Sequence, residues 1–172
     1  FARDILEVIS DRPISFEVFA DEFEEMERQA LEIAEWGDNV YVKIPITNTR
    51  QQSASGLIQR LSSQGVRLNI TAILALDQVQ EVAAAVQNGP ACIVSVFAGR
   101  IADTGVDPIP VMKDALAILQ SAPNAELLWA SPREVLNIYQ ADAIGCDIIT
   151  ATNDLLQKLA LAGKDLAEYS LE

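Results

Sequence analysis

Six short apolar runs, separated by segments with the pattern of helices, constrain the fold of this chain more than any other feature. Each run is typical of a buried β-strand, and successive runs start 20 to 34 residues apart. That spacing fits a repeated strand–helix unit and is too long for hairpins. The sequence therefore predicts an α/β fold with a parallel sheet. The predicted strands are Ile14–Ala20, Val40–Ile46, Arg67–Leu74, Cys92–Gly99, Glu126–Ser131 and Cys146–Ala151.

The segments between these runs predict helices. The clearest of them extends from about Asp21 to Trp36 and carries a row of glutamates on its solvent side. Short segments with glycine or asparagine, at residues 37–39, 64–65 and 87–90, end helices before the next strand. No linker or low-complexity tract divides the chain, so we expect one domain over residues 1–172.

Lys43 lies inside the second apolar run, where a lysine is unusual. Lysine is rarely buried without a partner, and desolvation disfavours the charged form of a buried amine. A neutral amine in such a place is a nucleophile toward a carbonyl group. Imine chemistry is therefore the first hypothesis for function. The alternative is a lysine at the end of a strand that extends into solvent.

Other polar side chains occupy alternate positions on the predicted strands. Asn69 and Thr71 alternate with apolar residues on the third strand, Ser95 does so on the fourth, and Glu17 lies between two apolar residues on the first. Successive side chains of a strand point to opposite faces of the sheet. We expect these side chains and Lys43 to converge on one pocket at the C-terminal mouth of a closed barrel.

Two arginines that follow predicted strands suit a phosphorylated ligand. Arg100 comes just after the fourth strand, and Arg133 lies in the segment Ser131–Glu134 after the fifth. That segment has the pattern of a capping box with Ser131 as N-cap, and a helix N-terminus offers free amides to a phosphate. The alternative is that both arginines form surface salt bridges.

Composition excludes several classes of function. The net charge of −13 makes nucleic acid and anionic membranes unfavourable partners. The chain has no histidine, which removes Ser-His-Asp and Cys-His catalysis and most zinc sites. No segment has the pattern of a signal peptide or a membrane span, so we expect a cytoplasmic protein. Cys92 and Cys146 lie in apolar runs and are interpreted as reduced core residues.

Four of these segments together resemble transaldolase and its relatives, the fructose-6-phosphate aldolases. They occur in the family's order and at its approximate spacing, and the likeness extends from Ile14 to about Leu161. Each segment alone is weak evidence for the family, but the combination is specific to it. The segments are Val42–Thr47, Asn69–Thr71, Ser95–Ile101 and Ala130–Arg133.

The resemblance implies a (β/α)8 TIM barrel in which this chain supplies about six βα units, strands three to eight. It also implies that Lys43 forms a Schiff base, that Glu17 is the acid/base partner acting through a bound water, and that Thr71 helps to position that water. No metal ion or organic cofactor is expected, because the imine supplies the polarisation. The expected partners are sugar phosphates, and assembly into homo-oligomers is left open. The implied substrate-binding residues are Asn69, Ser95, Phe97, Arg100, Ser131 and Arg133, of which the two arginines hold the phosphate.

Two positions distinguish the branches of this family. The aldolase branch usually carries glutamine where Glu17 stands and tyrosine where Phe97 stands, whereas this chain has the transaldolase residue at both. Phenylalanine cannot donate a proton. The pair therefore favours transfer of a dihydroxyacetone unit from a ketose phosphate to an aldose phosphate, as in the pentose phosphate pathway. The alternatives are an aldolase that releases dihydroxyacetone and a non-catalytic phosphosugar-binding protein.

The chain also departs from the family pattern. The family's first strand normally carries an aspartate and its second an asparagine, and neither strand is found here. The long terminal helix that often covers the barrel mouth is not found before Glu172 either. We therefore expect a barrel domain that is incomplete at both its N-terminus and its C-terminus; either the natural protein is longer at both ends, or the missing parts are disordered or have been removed.

Overall fold

The computed structural model describes all 172 residues and contains one six-stranded sheet. All strands are parallel, and their order in the sheet is their order in the sequence. The sheet curls into a half-barrel with helices between the strands, which is a partial (β/α)8 barrel. The strands are β1 (Ile14–Glu17), β2 (Val40–Pro45), β3 (Leu68–Ile73), β4 (Cys92–Val96), β5 (Ala125–Trp129) and β6 (Ile148–Ile149).

Helices follow every strand, and two stand between β4 and β5. None of them has the length and apolar character needed to cross a membrane. A short 3-10 turn, Leu159–Leu161, joins the last two. The helices are α1 (Ala2–Val8), α2 (Phe23–Ala34), α3 (Ser55–Ser63), α4 (Leu76–Val86), α5 (Ala98–Asp103), α6 (Pro108–Leu119), α7 (Leu136–Ile144), α8 (Asn153–Lys158) and α9 (Leu166–Tyr169).

The larger hydrophobic core lies between the outer face of the sheet and the helices. It contains 32 buried residues, among them Val42 and Ile44 on either side of Lys43. A second cluster of four residues, Tyr41, Ile93, Leu128 and Ala130, packs inside the curl. The outward-facing residues of each strand therefore pack against the helices, and the inward-facing residues are available to form a site.

The six predicted strands are confirmed, although the observed strands are shorter than predicted. Most differences lie at the carboxyl ends, where the apolar pattern continues after the backbone has left the sheet. The run predicted as Cys92–Gly99, for example, ends as a strand at Val96, and Ala98 already begins α5. Neither cysteine forms a disulfide, and burial raises the pKa of the Cys92 thiol to about 12, consistent with a reduced core residue.

The predicted capping box at Ser131 is wrong. Helix α7 begins at Leu136, and Ser131 has a left-handed backbone with φ of 59°. The side-chain oxygen of Asn137 instead accepts hydrogen bonds from the backbone N–H groups of Arg133 and Glu134, at 2.7 and 3.1 Å. A residue within the helix thus accepts the backbone N–H hydrogen bonds that were predicted for a helix N-terminus capped by Ser131.

Gly99 fixes how this loop meets α5. A Cβ atom at this position would lie 1.5 Å from the carbonyl oxygen of Ser131. The Gly99 N–H also donates to the carbonyl of Ala130 at 3.2 Å. The start of α5 and the segment after β5 are therefore in direct backbone contact, which only glycine permits.

Replacing Gly99 by alanine is expected to destabilise the fold. The new methyl group overlaps a backbone carbonyl, and relieving such a clash typically costs about 1–3 kcal/mol. Urea denaturation measures the loss of unfolding free energy. Gly56→Ala is the control, because its Cβ would meet only the far end of Arg60, at 3.8 Å, at an exposed position of α3. Equal stabilities for the two variants would contradict the packing described here.

Candidate active site

A cavity of about 680 Å³ opens on the inner face of the sheet. Residues from all six strands or the loops that follow them line it, and most of the predicted site residues are among them. Glu17, Arg100 and Arg133 lie outside the cavity lining itself. The predicted residues that line it are Lys43, Asn69, Thr71, Ser95, Phe97 and Ser131.

Lys43 and Glu17 form an ion pair across neighbouring strands. The parallel register pairs Glu17 of β1 with Lys43 of β2, and the distance from Lys43 Nζ to Glu17 Oε2 is 3.3 Å. The lysine side chain is 32% exposed and the glutamate 46%, so both remain accessible to solvent. Proton transfer between the two groups therefore needs no rearrangement of the backbone.

A chain of hydrogen bonds spans the inner face next to Lys43. Ser95 Oγ donates to Asn69 Oδ1 at 2.7 Å, and Asn69 Nδ2 donates to Ser15 Oγ at 2.9 Å. The last bond reaches from β3 to β1 and so crosses β2, the strand that carries Lys43. Because both ends of its amide are held, Asn69 has one orientation.

Ser15 is a cavity residue that was not among the residues predicted from the sequence. It lines the cavity and occupies the position two residues before Glu17 on β1. Its position two residues before Glu17 could have identified it, because residues two apart share one face of a strand. Glu126 on β5 was missed for the same reason, two positions before Leu128, and it also lines the cavity.

Thr71 lies at a distortion of β3. Its side chain is only 2% exposed, and its hydroxyl makes no hydrogen bond within the protein although it lines the cavity. The next residue, Ala72, has φ of 62°, and the pairing with β4 shifts between Ile70 and Ile73. A buried hydroxyl of this kind requires a partner from solvent or ligand, and bulges often re-aim side chains beside active sites.

Phe97 and Arg100 form one unit at the start of α5. The ring of Phe97 lines the cavity, and the guanidinium carbon of Arg100 lies 4.6 Å from the ring centroid. Such a cation–π contact restrains an exposed arginine. Arg100 makes no ion pair, so its donors remain free for an anion.

Arg133 is paired with Asp103, the last residue of α5. Its Nε lies 3.2 Å from Asp103 Oδ1, and its Nη2 bonds Oδ2. Arg133 therefore forms the surface salt bridge that the alternative predicted for both arginines, with both side chains about half exposed, whereas Arg100 does not. Asp103 stands three residues after Arg100, which places both on one face of the helix.

The loops that follow β1 and β2 are joined by side-chain hydrogen bonds and an ion pair. Asp21 accepts hydrogen bonds from the backbone N–H and the hydroxyl of Thr49, at 2.8 and 2.7 Å. The N–H of Thr49 is the main cause that lowers the pKa of Asp21. Arg50 makes a bidentate contact of 2.6 Å with Glu22, at both pairs of atoms. The two strands that carry Glu17 and Lys43 are thus tied together beyond their ends.

The chain matches the family model "Transaldolase/Fructose-6-phosphate aldolase" over residues 1–171. Proteins named probable transaldolase from a Thermoanaerobacter species and from Brucella anthropi are each 32% identical to it. These alignments cover 91% and 99% of this chain, and 72% and 77% of the two relatives. A third, from Methanococcus maripaludis, is also 32% identical, over 91% of this chain and 73% of its own length.

A solved structure supports the fold alone. A mandelate oxidase variant that carries an FMN adduct superposes with a TM-score of 0.61 at 15% identity. The match covers 98% of this chain and 57% of that one. Together with the family model and the relatives, the parallel half-barrel leads to one conclusion: the chain belongs to the transaldolase/fructose-6-phosphate aldolase family, whose members are aldolase- or transferase-type enzymes acting on sugar phosphates.

Proposed function

We propose that this chain carries the active site of a transaldolase of the pentose phosphate pathway, which moves a dihydroxyacetone unit from a ketose phosphate to an aldose phosphate through a Schiff base on Lys43. The observation that carries the proposal is the 3.3 Å contact between Lys43 Nζ and Glu17 Oε2 on adjacent strands of the inner face. Such a pair supplies a nucleophile and an acid/base group at one point.

The reaction begins at Lys43. Its free amine adds to the ketone carbon of the donor, water leaves, and an iminium forms that withdraws electrons from the bond between the next two carbons, the α and β carbons. Glu17 removes the proton of the hydroxyl on the β carbon, and the bond between the α and β carbons breaks to release an aldose phosphate. The electron pair remains as a dihydroxyacetone enamine on Lys43. Addition of this enamine to the acceptor aldehyde and hydrolysis of the new iminium complete the transfer and return the amine.

Neighbouring side chains support these steps by position. Asn69, held in one orientation by Ser15 and Ser95, presents its remaining N–H to the hydroxyls of the bound sugar. The buried hydroxyl of Thr71 suits a water that relays protons to Glu17. Arg100 and Arg133, one on α5 and the other tied to it, bind the phosphate.

Phe97 favours transfer over release. Release of dihydroxyacetone requires a proton at the enamine carbon, and the ring that lines the cavity has none to give. The enamine therefore persists until an acceptor arrives. The second candidate function is aldol cleavage of fructose 6-phosphate, and assays with and without erythrose 4-phosphate separate the two. A phosphosugar-binding protein without chemistry, the third hypothesis, would give no turnover in either assay.

Lys43→Met is expected to abolish turnover and leave the fold intact, because the thioether fills the space of the lysine stem but cannot form an imine. Borohydride reduction in the presence of fructose 6-phosphate, followed by mass spectrometry, measures the covalent adduct. Lys113→Met, on the exposed face of α6, is the matched control and retains labelling. An adduct on the Lys43→Met protein would refute the assignment.

Glu17→Gln is expected to slow turnover by about 10²-fold or more, the usual contribution of a positioned acid/base group. The amide keeps the shape of the carboxylate but cannot accept the proton. Steady-state transfer kinetics measure the loss, with Glu24→Gln on the exposed side of α2 as the control. A rate equal to that of the unaltered protein would remove Glu17 from the mechanism.

Phe97→Tyr is expected to raise the release of free dihydroxyacetone relative to transfer, because the phenol can protonate the enamine. The measurement is dihydroxyacetone formed from fructose 6-phosphate without an acceptor. Phe97→Leu removes the ring but adds no proton donor and should give no such gain. Equal release by both variants would show that water, and not the residue at this position, supplies the proton.

A further inference from the structure

Arg133 is held at both ends by residues that have no assigned role. Its backbone N–H donates to Asn137, which is 8% exposed, and its guanidinium is held by Asp103. An exposed arginine normally samples many rotamers. Here the two contacts hold the side chain in one orientation.

The contact with Asp103 uses only one edge of the guanidinium. Nε and Nη2 engage the two carboxylate oxygens, which consumes two of the five N–H donors. The other three, two on Nη1 and one on Nη2, lie along the remaining edges of the same plane. An ion pair with Asp103 and a contact to a phosphate can therefore exist together.

Helix α5 brings the two arginines to one surface. Arg100 and Asp103 share a face of this helix, and the Arg133 loop is fixed against its first turn by Gly99. Asp103 therefore tethers the second arginine to the helix that carries the first. Without this carboxylate, two guanidinium groups on one surface would repel each other.

We propose that Asp103 is a positioning residue that aims Arg133 at the phosphate of the substrate, and this proposal rests on the function proposed above. Asp103 touches neither the sugar nor the reacting atoms. It acts by removing rotamer freedom from Arg133 before the ligand arrives. Its own negative charge weakens phosphate binding little, because the pair is about half exposed and solvent screens the repulsion.

The test compares two donors that differ only in the phosphate. Transfer from fructose 6-phosphate and from fructose is measured with glyceraldehyde as the common acceptor. For Asp103→Ala we expect KM for fructose 6-phosphate to rise about fivefold, the scale of an exposed charge pair, with kcat unchanged. The kcat/KM for fructose stays the same, whereas damage to the fold would lower it for both donors and would overturn the proposal.

A double substitution tests whether Asp103 acts through Arg133. If it does, Asp103→Ala adds nothing in a chain that already carries Arg133→Ala. Asp103→Asn keeps one acceptor oxygen for Nε and should raise KM less than the alanine variant. Asp114→Ala, on the exposed side of α6 and outside any ion pair, is the control. Additive effects, or a lower KM in the alanine variant, would identify Asp103 as a competitor of the phosphate and overturn the proposal.

Calorimetry with inorganic phosphate separates this inference from the proposed function, because it needs no turnover. Asp103→Ala should weaken phosphate binding by a similar factor. If the unaltered chain shows neither transfer nor borohydride labelling, the transaldolase proposal fails while the phosphate titration still decides the role of Asp103. If labelling is present but phosphate affinity is the same in both proteins, only the role of Asp103 is lost.

Discussion

The parallel register between β1 and β2 is the constraint on which the rest of the site depends. It places Glu17 opposite Lys43 on the inner face, while Val42 and Ile44 are driven outward and fully buried under the helices. A slip of one residue would bury the lysine in the helical core and turn apolar side chains into the cavity. Burial of the outer face therefore stabilises the fold and fixes the charged pair in the same step.

The remaining polar groups are held less rigidly the further they lie from the strands. Asn69 and Ser95 come from strands whose outer faces are equally well packed, and their hydrogen bonds are buried. The two arginines proposed to bind phosphate stand on a short helix and a loop, where backbone contacts such as that of Gly99 with Ser131 take the place of strand pairing. The groups on the strands are therefore held most precisely, and the peripheral groups are restrained by salt bridges and side-chain caps.

Features that depend on the periodicity of apolar residues were predicted correctly from the sequence. Features that depend on local backbone geometry were not. Strand number follows from the spacing of the apolar runs, and the inward set around Lys43 follows from the alternation of apolar and polar residues within them. The start of α7 does not, because Ser131 satisfies the capping pattern in its letters while its left-handed backbone, pressed against Gly99, lies outside the helix. The role of Asp103 could not be predicted either, because α5 is a six-residue helix whose first two residues fall in the run predicted to be a strand. The hydrogen bond between Asn69 and Ser15 spans an intervening strand. It could not be predicted from the sequence, because it depends on the curl of the sheet.

Phe97 links the two halves of the proposed site. Its ring faces the cavity and also supports Arg100, so in the proposed mechanism it contributes to both the fate of the enamine and the recognition of the phosphate. Tyrosine, the residue usual in the aldolase branch, keeps the aromatic face that the guanidinium needs and adds only a hydroxyl. The two branches can therefore differ in their ability to protonate the intermediate without disturbing the arginine. In the proposed mechanism, one position then determines whether the three-carbon unit is released or passed on, because its supporting role depends on the ring and its chemical role on the substituent.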